Sequence, residues 1–315
     1  MGEGRGQGEG GEARRFAVIG NPVAHSLSPV MHNALYAALA EEDPRFAAWR
    51  YEAVLCEDEM AARRQIAKVR DGEICGMNVT MPWKPVALAM ADYVDAASDA
   101  CGGANVLIAS DGKLSAYNTD GEGAVGAIAR ASGVEARGKR VAVCGTGPTS
   151  LSIACAFAKA RAGEVVLFSR EHARSRRAIE RLRLSLPDDA TRWMRAAEYG
   201  EAAGLVPSMD VFVDATPRGM HEGDEPIVDP ALFREGQVVL DTVYAHGVTK
   251  LLAGAREAGA FAMDGLGMLV EQAALSVEIW AEALGVPVEA DRDVMREAAE
   301  DESARRAREG QGPVR

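Results

Sequence analysis

Aromatic side chains make up only 5% of this chain, against 48% hydrophobic residues of all kinds. A chain so poor in rings is expected to build its cores from Ala, Val, Leu, Ile and Met. Positive charge is also in deficit. A formal net charge of −12 argues against a general nucleic-acid binder and against a surface held to anionic lipid, although the basic cluster from Arg170 to Arg177 can still hold a phosphate. No apolar stretch approaches the length of a membrane span. Residues 1–13, rich in Gly and Glu, hold no signal-peptide core and read as a disordered arm. The five cysteines form no C-x-x-C pair and none sits in a His-rich cluster. Buried, reduced thiols of a cytoplasmic protein are therefore expected, with no metal and no disulfide.

What is present is an alternation of strands and helices, on a chain of 315 residues that is long enough for two domains. Arg15 to Ile19 reads as a strand. Ser28-Pro29 reads as a helix start, with serine as cap and proline at the first helical position. A strand from Trp49 to Leu55, a helix from Asp58 to Val69 and a strand from Ile74 to Val79 follow. Asp111-Gly112 is the best hairpin turn in the chain. If the turn is two residues long, Ser110 pairs with Lys113, and counting outward sets Asn105 opposite Asn118, with Asp120 just past the strand end. From Arg140 the pattern becomes strand, Gly145-Thr146-Gly147-Pro148 turn, helix to Lys159 and strand from Glu164 to Phe168. Val211 to Ala215 and Val238 to Asp241 are further strands. That order predicts a doubly wound parallel sheet. Gly265 opens a long helix to about Leu284, whose apolar stripe is Leu266, Leu269, Ala273, Val277, Trp280 and Leu284. The charged stretch 289–315 reads as frayed.

Three polar segments sit beside element ends. Ser26 and Ser28 flank a helix N-terminus, where free N–H groups and the helix dipole favour a carboxylate. On their own they read more simply as a cap and a hydroxyl facing water. In N-V-T-M-P-W-K, Thr80 ends a strand and Pro82 begins a helix, so Lys84 lies in the first turn, where the dipole disfavours a cation. Asp120 is its natural partner, since opposite charges about 4 Å apart attract by roughly 4 kcal/mol at an effective dielectric near 20. A surface lysine and an unrelated capping aspartate is the plainer alternative. Such a pair can give a proton to a carbonyl oxygen while hydride is delivered, and can stabilise the developing alkoxide.

The Gly145-Thr146-Gly147-Pro148-Thr149 turn sits between an apolar strand and a helix, which suits a dinucleotide pyrophosphate. Ser169-Arg170, with Arg174 one turn on, ends the second strand where a carboxylate would hold the ribose of NAD. Arginines there suit a 2′-phosphate, so NADP is favoured over NAD, with Glu171 counting the other way.

Taken together, G-N-P-V-A-H-S-L-S-P-V-M-H-N, G-M-N-V-T-M-P-W-K, N-T-D-G, the G-x-G turn and D-G-L-G-M-L-V-E-Q-A-A resemble the shikimate dehydrogenase family, from about Phe16 to Leu284. The resemblance implies two α/β domains with a cleft between them. It also implies NADP-linked interconversion of 3-dehydroshikimate and shikimate, on the route to chorismate and the aromatic amino acids. Carried across residue by residue, Ser26 and Ser28 match the carboxylate binders, and Thr80, Asn105 and Asp120 match ligands of the ring hydroxyls. Lys84 matches the catalytic lysine with Asp120 as partner, and Tyr244 and Gln272 match the remaining substrate contacts. Val243 and Gly265 match the nicotinamide end of the cofactor site. The chain departs from the family pattern at G-T-G-P-T, at Val106 after Asn105, at Ser169 and at Ala245-His246-Gly247.

The expected division is a substrate-binding domain over 14–121, to which 266–288 returns, and a dinucleotide domain over 122–265. The expected partners are a small-molecule acid and NADP, with no nucleic acid and no membrane, in a monomer or homodimer. Two other functions stay open at this level: a quinate or aminoshikimate dehydrogenase using NAD(P), and a non-catalytic sensor of a shikimate-type ligand.

Overall fold

The computed structural model describes residues 13–221 and 223–309. The arm expected over residues 1–13 therefore lies outside them apart from Ala13, as do residues 310–315 of the expected tail. Two six-stranded sheets lie one after the other along the chain. The first takes β1 (Arg14–Gly20), β2 (Trp49–Leu55), β3 (Gly76–Val79), β4 (Tyr93–Val94), β5 (Val106–Ser110) and β6 (Lys113–Tyr117), in the order β2-β1-β3-β5-β6-β4. Its helices are α1 (Ser28–Glu42), α2 (Glu59–Arg70), α3 (Lys84–Met90) and α4 (Ala96–Cys101).

The second unit is entered through α5 (Asp120–Ser132), which leads to β7 (Arg140–Cys144), α6 (Pro148–Lys159), β8 (Glu164–Ser169) and α7 (His172–Ser185). A one-turn α8 (Asp188–Thr191), β9 (Met194–Glu198), a one-turn α9 (Ala202–Leu205), β10 (Val211–Asp214), β11 (Val238–Asp241), α10 (Lys250–Glu257) and β12 (Phe261–Met263) complete it. Its strand order is β12-β11-β10-β7-β8-β9 with every neighbouring pair parallel, the doubly wound arrangement expected. The chain then returns through α11 (Leu266–Ala283) and α12 (Arg292–Arg308) to pack on the first unit. Among the described residues no helix is long and apolar enough to cross a membrane.

Several local expectations are corrected. Leu27, not Ser28, is the cap residue of α1: Ser28 is already the first helical residue, and no side chain caps the helix. Pro82 does not begin α3. Thr80 to Trp83 close a turn, with the Trp83 N–H donating to the Thr80 carbonyl at 2.9 Å, so the helix starts at Lys84 itself. The short strands β4, β9 and β12 were not expected. The scarce aromatics are also unevenly spent: Phe16, Tyr36, Phe46, Trp49, Tyr51 and Trp280 share one cluster beneath α1 and α11. Phe16 and Trp280 stack at 5.0 Å there. The first core thus leans on rings after all, whereas the cluster between α5, α6 and the second sheet is built mostly from aliphatic side chains.

Most of the stretch 289–315 that was expected to fray is α12. Asp291 caps it, its carboxylate accepting from the N–H groups of Asp293 at 2.9 Å and Val294 at 3.2 Å. Met295 and Ala299 are fully buried in the aromatic cluster, and Glu302 bridges Arg305 and Arg306 along the helix. With so few apolar anchors on a strongly charged helix, no hydrophobic period stands out of the sequence. Met295→Ala should then cost about 2–4 kcal/mol of stability in urea denaturation of the full chain. An unchanged midpoint would show that α12 is not docked.

Candidate active site

Lys84 is the first residue of α3, where the helix dipole opposes a cation. Its Nζ forms an ion pair with the Asp120 carboxylate, and the two side chains are only 13% and 6% exposed. The β5–β6 hairpin delivers Asp120. Asp111 and Gly112 both take positive φ (51° and 71°), as a two-residue turn of this kind requires. Ser110 pairs with Lys113 and Val106 with Tyr117, the register expected. One step further out, the Asn105 N–H donates to the Tyr117 carbonyl at 3.0 Å. The Asn105 amide then donates to Asp120 Oδ1 at 2.9 Å and to Gln272 Oε1 at 3.1 Å. The Thr119 hydroxyl donates to the Gln272 carbonyl at 3.1 Å, so α11 is fastened to this corner.

The second unit closes on the same point. A Cβ added to Gly121 would lie 2.1 Å from the Ser152 carbonyl oxygen, which shows how closely α5 and α6 approach. Ser152 Oγ donates to Asn118 Oδ1 at 2.8 Å and accepts from the Gly121 N–H at 2.9 Å. Thr149, in the first turn of α6, sets its hydroxyl between the charges: it accepts from Lys84 Nζ at 3.0 Å and donates to Asp120 Oδ2 at 2.9 Å. The sequence placed Thr149 with the cofactor turn and missed this contact.

Ser26 and Ser28 stand at the start of α1, and Thr80 follows the end of β3. The Ser28 N–H donates to Ser26 Oγ at 3.2 Å. Behind them lies a buried network that the sequence reading also missed. Tyr51 donates its phenol to Asn78 Oδ1 at 2.7 Å, and the Asn78 amide donates to Ser276 Oγ at 2.9 Å and to the Asn105 carbonyl at 3.1 Å. Burial pushes the Tyr51 phenol well above its ordinary pKa, with the Ser28 hydroxyl partly offsetting the rise. His32 stacks on Tyr51 at 3.9 Å, and burial lowers its pKa to about 4, so it is neutral. Its Nδ1 lies 2.8 Å from the Ser28 carbonyl, which can only accept, so Nδ1 carries the proton, and the buried Nε2 has no partner among the described residues. The signal available was the alternation of β2, which buries Trp49 and Tyr51, and Asn78 inside N-V-T. Tyr244, after β11, reaches across to pack on the first unit's aromatic cluster.

On the nucleotide side, Gly145 adopts φ +108°, and a Cβ there would meet Ser150 Oγ at 2.3 Å. A Cβ on Gly147 would meet nothing within 4 Å, so the turn before α6 faces open space. Pro148 covers Gly103, whose added Cβ would lie 2.8 Å from it. Ser169 is turned inward, its hydroxyl donating to the Glu171 carbonyl and accepting from Ser175. It therefore shapes the loop rather than facing outward. Arg170 and Arg174 are exposed, with Arg174 3.8 Å from Glu171. The Gly265 N–H donates to the Val243 carbonyl at 3.1 Å, and a Cβ on Gly265 would lie 2.1 Å from the Thr242 oxygen. Cys56, Cys101, Cys144 and Cys155 are buried free thiols. Among the described residues no group of three or more His, Cys, Asp or Glu side chains is placed to hold a metal ion.

The chain as a whole is similar to known proteins. The model of the shikimate dehydrogenase substrate-binding domain matches residues 18–107. The NADP(+) shikimate dehydrogenase of Methanopyrus kandleri is 33% identical over 91% of this chain and 95% of its own length. That of Methanothrix thermoacetophila is 35% identical over 90% of this chain and 97% of its own. Among solved structures, shikimate 5-dehydrogenase from Thermus thermophilus in complex with NADP(H) and shikimate superimposes with a TM-score of 0.77 at 30% identity, covering 91% of this chain and 99% of that one.

The second sheet holds a further pair of acids. Asp214 and Asp241 are register partners at the ends of β10 and β11, and are 2% and 1% exposed. Side chains at matched positions of parallel strands leave the same face, so the two carboxyls are neighbours. Asp214 accepts from the Thr216 N–H at 2.9 Å, while Asp241 accepts from Thr249 Oγ1 at 2.7 Å and the Val243 N–H at 3.0 Å. Burial, with the Asp241 charge adding to it, raises the Asp214 pKa to about 7. The raised value means that the folded state holds a proton the unfolded chain has released, so stability falls as pH rises from about 4 through about 7. Asp214→Asn removes the second charge and keeps the acceptor for Thr216. It should raise the melting temperature by roughly 2–6 °C at pH ~8 and by less at pH ~5. A shift that is equal at both pH values, or a loss at pH ~8, would contradict the raised pKa of Asp214.

Proposed function

The chain belongs to the shikimate dehydrogenase family, and on that premise we propose that Lys84 and Asp120 perform the proton transfer of its reaction. The reaction is the reversible NADP-dependent reduction of 3-dehydroshikimate to shikimate, a step toward chorismate and the aromatic amino acids. The observation that carries the assignment is the ion pair itself, shielded from solvent and set where the hairpin, α3 and the cofactor turn converge.

The hydrogen-bond valences of the pair support these roles. The Lys84 ammonium has three N–H donors, of which Asp120 and Thr149 take two, and the third is free for the substrate oxygen. Asp120 Oδ2 is filled by Lys84 and Thr149, while Oδ1 takes Asn105 and keeps a lone pair for a ring hydroxyl. During reduction Lys84 gives a proton to the carbonyl oxygen and its charge stabilises the alkoxide. In the reverse direction it takes the proton back. Asn105, Thr80 and Asp120 hold the ring hydroxyls, with Tyr244 and Gln272 beside them. Ser26 and Ser28 receive the carboxylate. The nicotinamide, when bound, supplies or accepts the hydride.

The residues fit that cofactor. The open space at Gly147, before a helix of twelve residues, suits a pyrophosphate seated on Gly145, Thr146, Gly147 and Pro148. Arg170 and Arg174 are exposed and suit a 2′-phosphate, Arg174 giving up its ion pair with Glu171, with Ser169 shaping their loop, and Val243 and Gly265 bound the nicotinamide end. The buried free thiols Cys56, Cys101, Cys144 and Cys155 fit a cytoplasmic enzyme, acting as a monomer or homodimer.

Absorbance at the nicotinamide band, followed with shikimate and quinate against NADP and NAD, tests the whole reading. Shikimate with NADP should give the highest kcat/KM, and a preference for quinate with NAD would overturn it. Binding of shikimate without any NADPH oxidation on 3-dehydroshikimate would instead indicate a sensor. Lys84→Ala should lower kcat by roughly 10²–10⁴ with KM less affected. A rate like the wild type would dismiss the assigned role. Ser28→Ala should act mainly on the KM for shikimate, raising it about tenfold; an unchanged KM would count against the carboxylate site.

A further inference from the structure

We propose that Thr149 is a positioning residue of the proton-transfer pair, fixing Lys84 through its hydroxyl and coupling the catalytic corner to the pyrophosphate turn. This deepens the reading above and rests on it. Thr149 lies directly after Pro148 in the second unit, yet its hydroxyl closes a triangle with two side chains of the first. It accepts from Lys84 Nζ at 3.0 Å and donates to Asp120 Oδ2 at 2.9 Å. A hydroxyl has one proton and two lone pairs, so both directions are satisfied at once.

The consequence is geometric. Lysine has four rotatable bonds, and one ion-pair partner alone leaves the ammonium free to swing about the carboxylate. A second partner on the other unit defines the position of Nζ and aims the remaining N–H. The backbone beneath Thr149 is held in turn. Gly103 sits under Pro148, where a Cβ would be 2.8 Å from the ring, and the same Cβ would be 3.0 Å from Lys84 Cβ. Gly121, next to Asp120, touches the α6 backbone. Any shift of the turn when a pyrophosphate seats on it therefore reaches the Lys84 ammonium through the Thr149 hydroxyl.

The test is steady-state kinetics on the full chain with shikimate and NADP. Thr149→Val removes the hydroxyl and keeps the shape, and Thr149→Ala serves the same purpose without the branched side chain. Each should lower kcat roughly ten- to a hundredfold while both KM values stay within about twofold, and Thr149→Ser should restore most of the rate. In a Lys84→Ala background, Thr149→Val should cause little further loss, because Thr149 acts through that ammonium. The proposal is overturned if Thr149→Val and Thr149→Ala keep the wild-type kcat, if their whole effect falls on the KM for NADP, or if the double variant shows the full product of the two losses. Wild-type protein that oxidises no NADPH with 3-dehydroshikimate would overturn the functional reading and this proposal with it. An active wild type matched by Thr149→Val would sink this proposal alone.

Discussion

An ammonium at the positive end of a helix, largely withdrawn from water, is an arrangement a folded chain tolerates only with a close counter-charge. Lys84 is that ammonium and Asp120 the counter-charge. Much of the architecture can be understood as the means of bringing them together. A two-residue turn fixes which residue follows β6, so the hairpin sets Asp120 beside Asn105. The β3–α3 turn sets Lys84 one residue after Trp83, whose indole donates to the Cys56 carbonyl at 3.0 Å and anchors the loop. Neither segment finds the other by sequence proximity. The sheet brings them together.

The two units are joined at this corner by more than one contact. α5 starts at Asp120 and runs into the second unit, while α11 comes back from it carrying Gln272 to the same place. α11 is buried on most of its circumference rather than along the single stripe its apolar spacing suggests. Met268 belongs to the second unit's core, while Val270, Ala273, Ala274, Val277 and Trp280 belong to the first. Its one buried acid, Glu271, is neutralised from both sides by Arg130 of α5 and Arg292 of α12, at 2.8 and 2.7 Å. A buried carboxylate with two guanidinium partners avoids the desolvation cost of an unpaired charge, and here it also ties three helices together.

What the sequence revealed, and what it hid, divides along local and non-local lines. The hairpin register was legible because Asp111-Gly112 permits essentially one pairing. The parallel sheet was legible because its central strands are continuous apolar runs between turn signals. The cap of α1 was misread by one residue, since serine before proline is a strong start signal and nothing local reveals that Ser28 is already the first helical residue. α12 was hidden by its charge. Its docking depends on Met295 and Ala299 meeting an aromatic cluster assembled from four distant segments. The roles of Thr149 and Tyr51 were hidden for the same reason. A threonine after a glycine turn is expected to serve the cofactor, and only the packing of α6 on α5 turns its hydroxyl to Lys84.

The same contrast bears on why the pair exists at all. Replacing a buried ion pair with well-packed apolar residues is often neutral or stabilising, so stability alone gives little reason to keep one. A protein that only recognised the ligand would gain nothing from an ammonium with a free N–H held at a fixed point. Neutral amides and hydroxyls, such as Asn105, Thr80 and the two serines, can read ring hydroxyls and a carboxylate without that cost. The pair is instead suited to a demand that appears only while a bond changes, when a carbonyl oxygen gains charge and must receive a proton in a place closed to water. Under the role proposed for the pair, that requirement accounts for the low exposure of both groups and for the surrounding network that leaves each with a valence to spare.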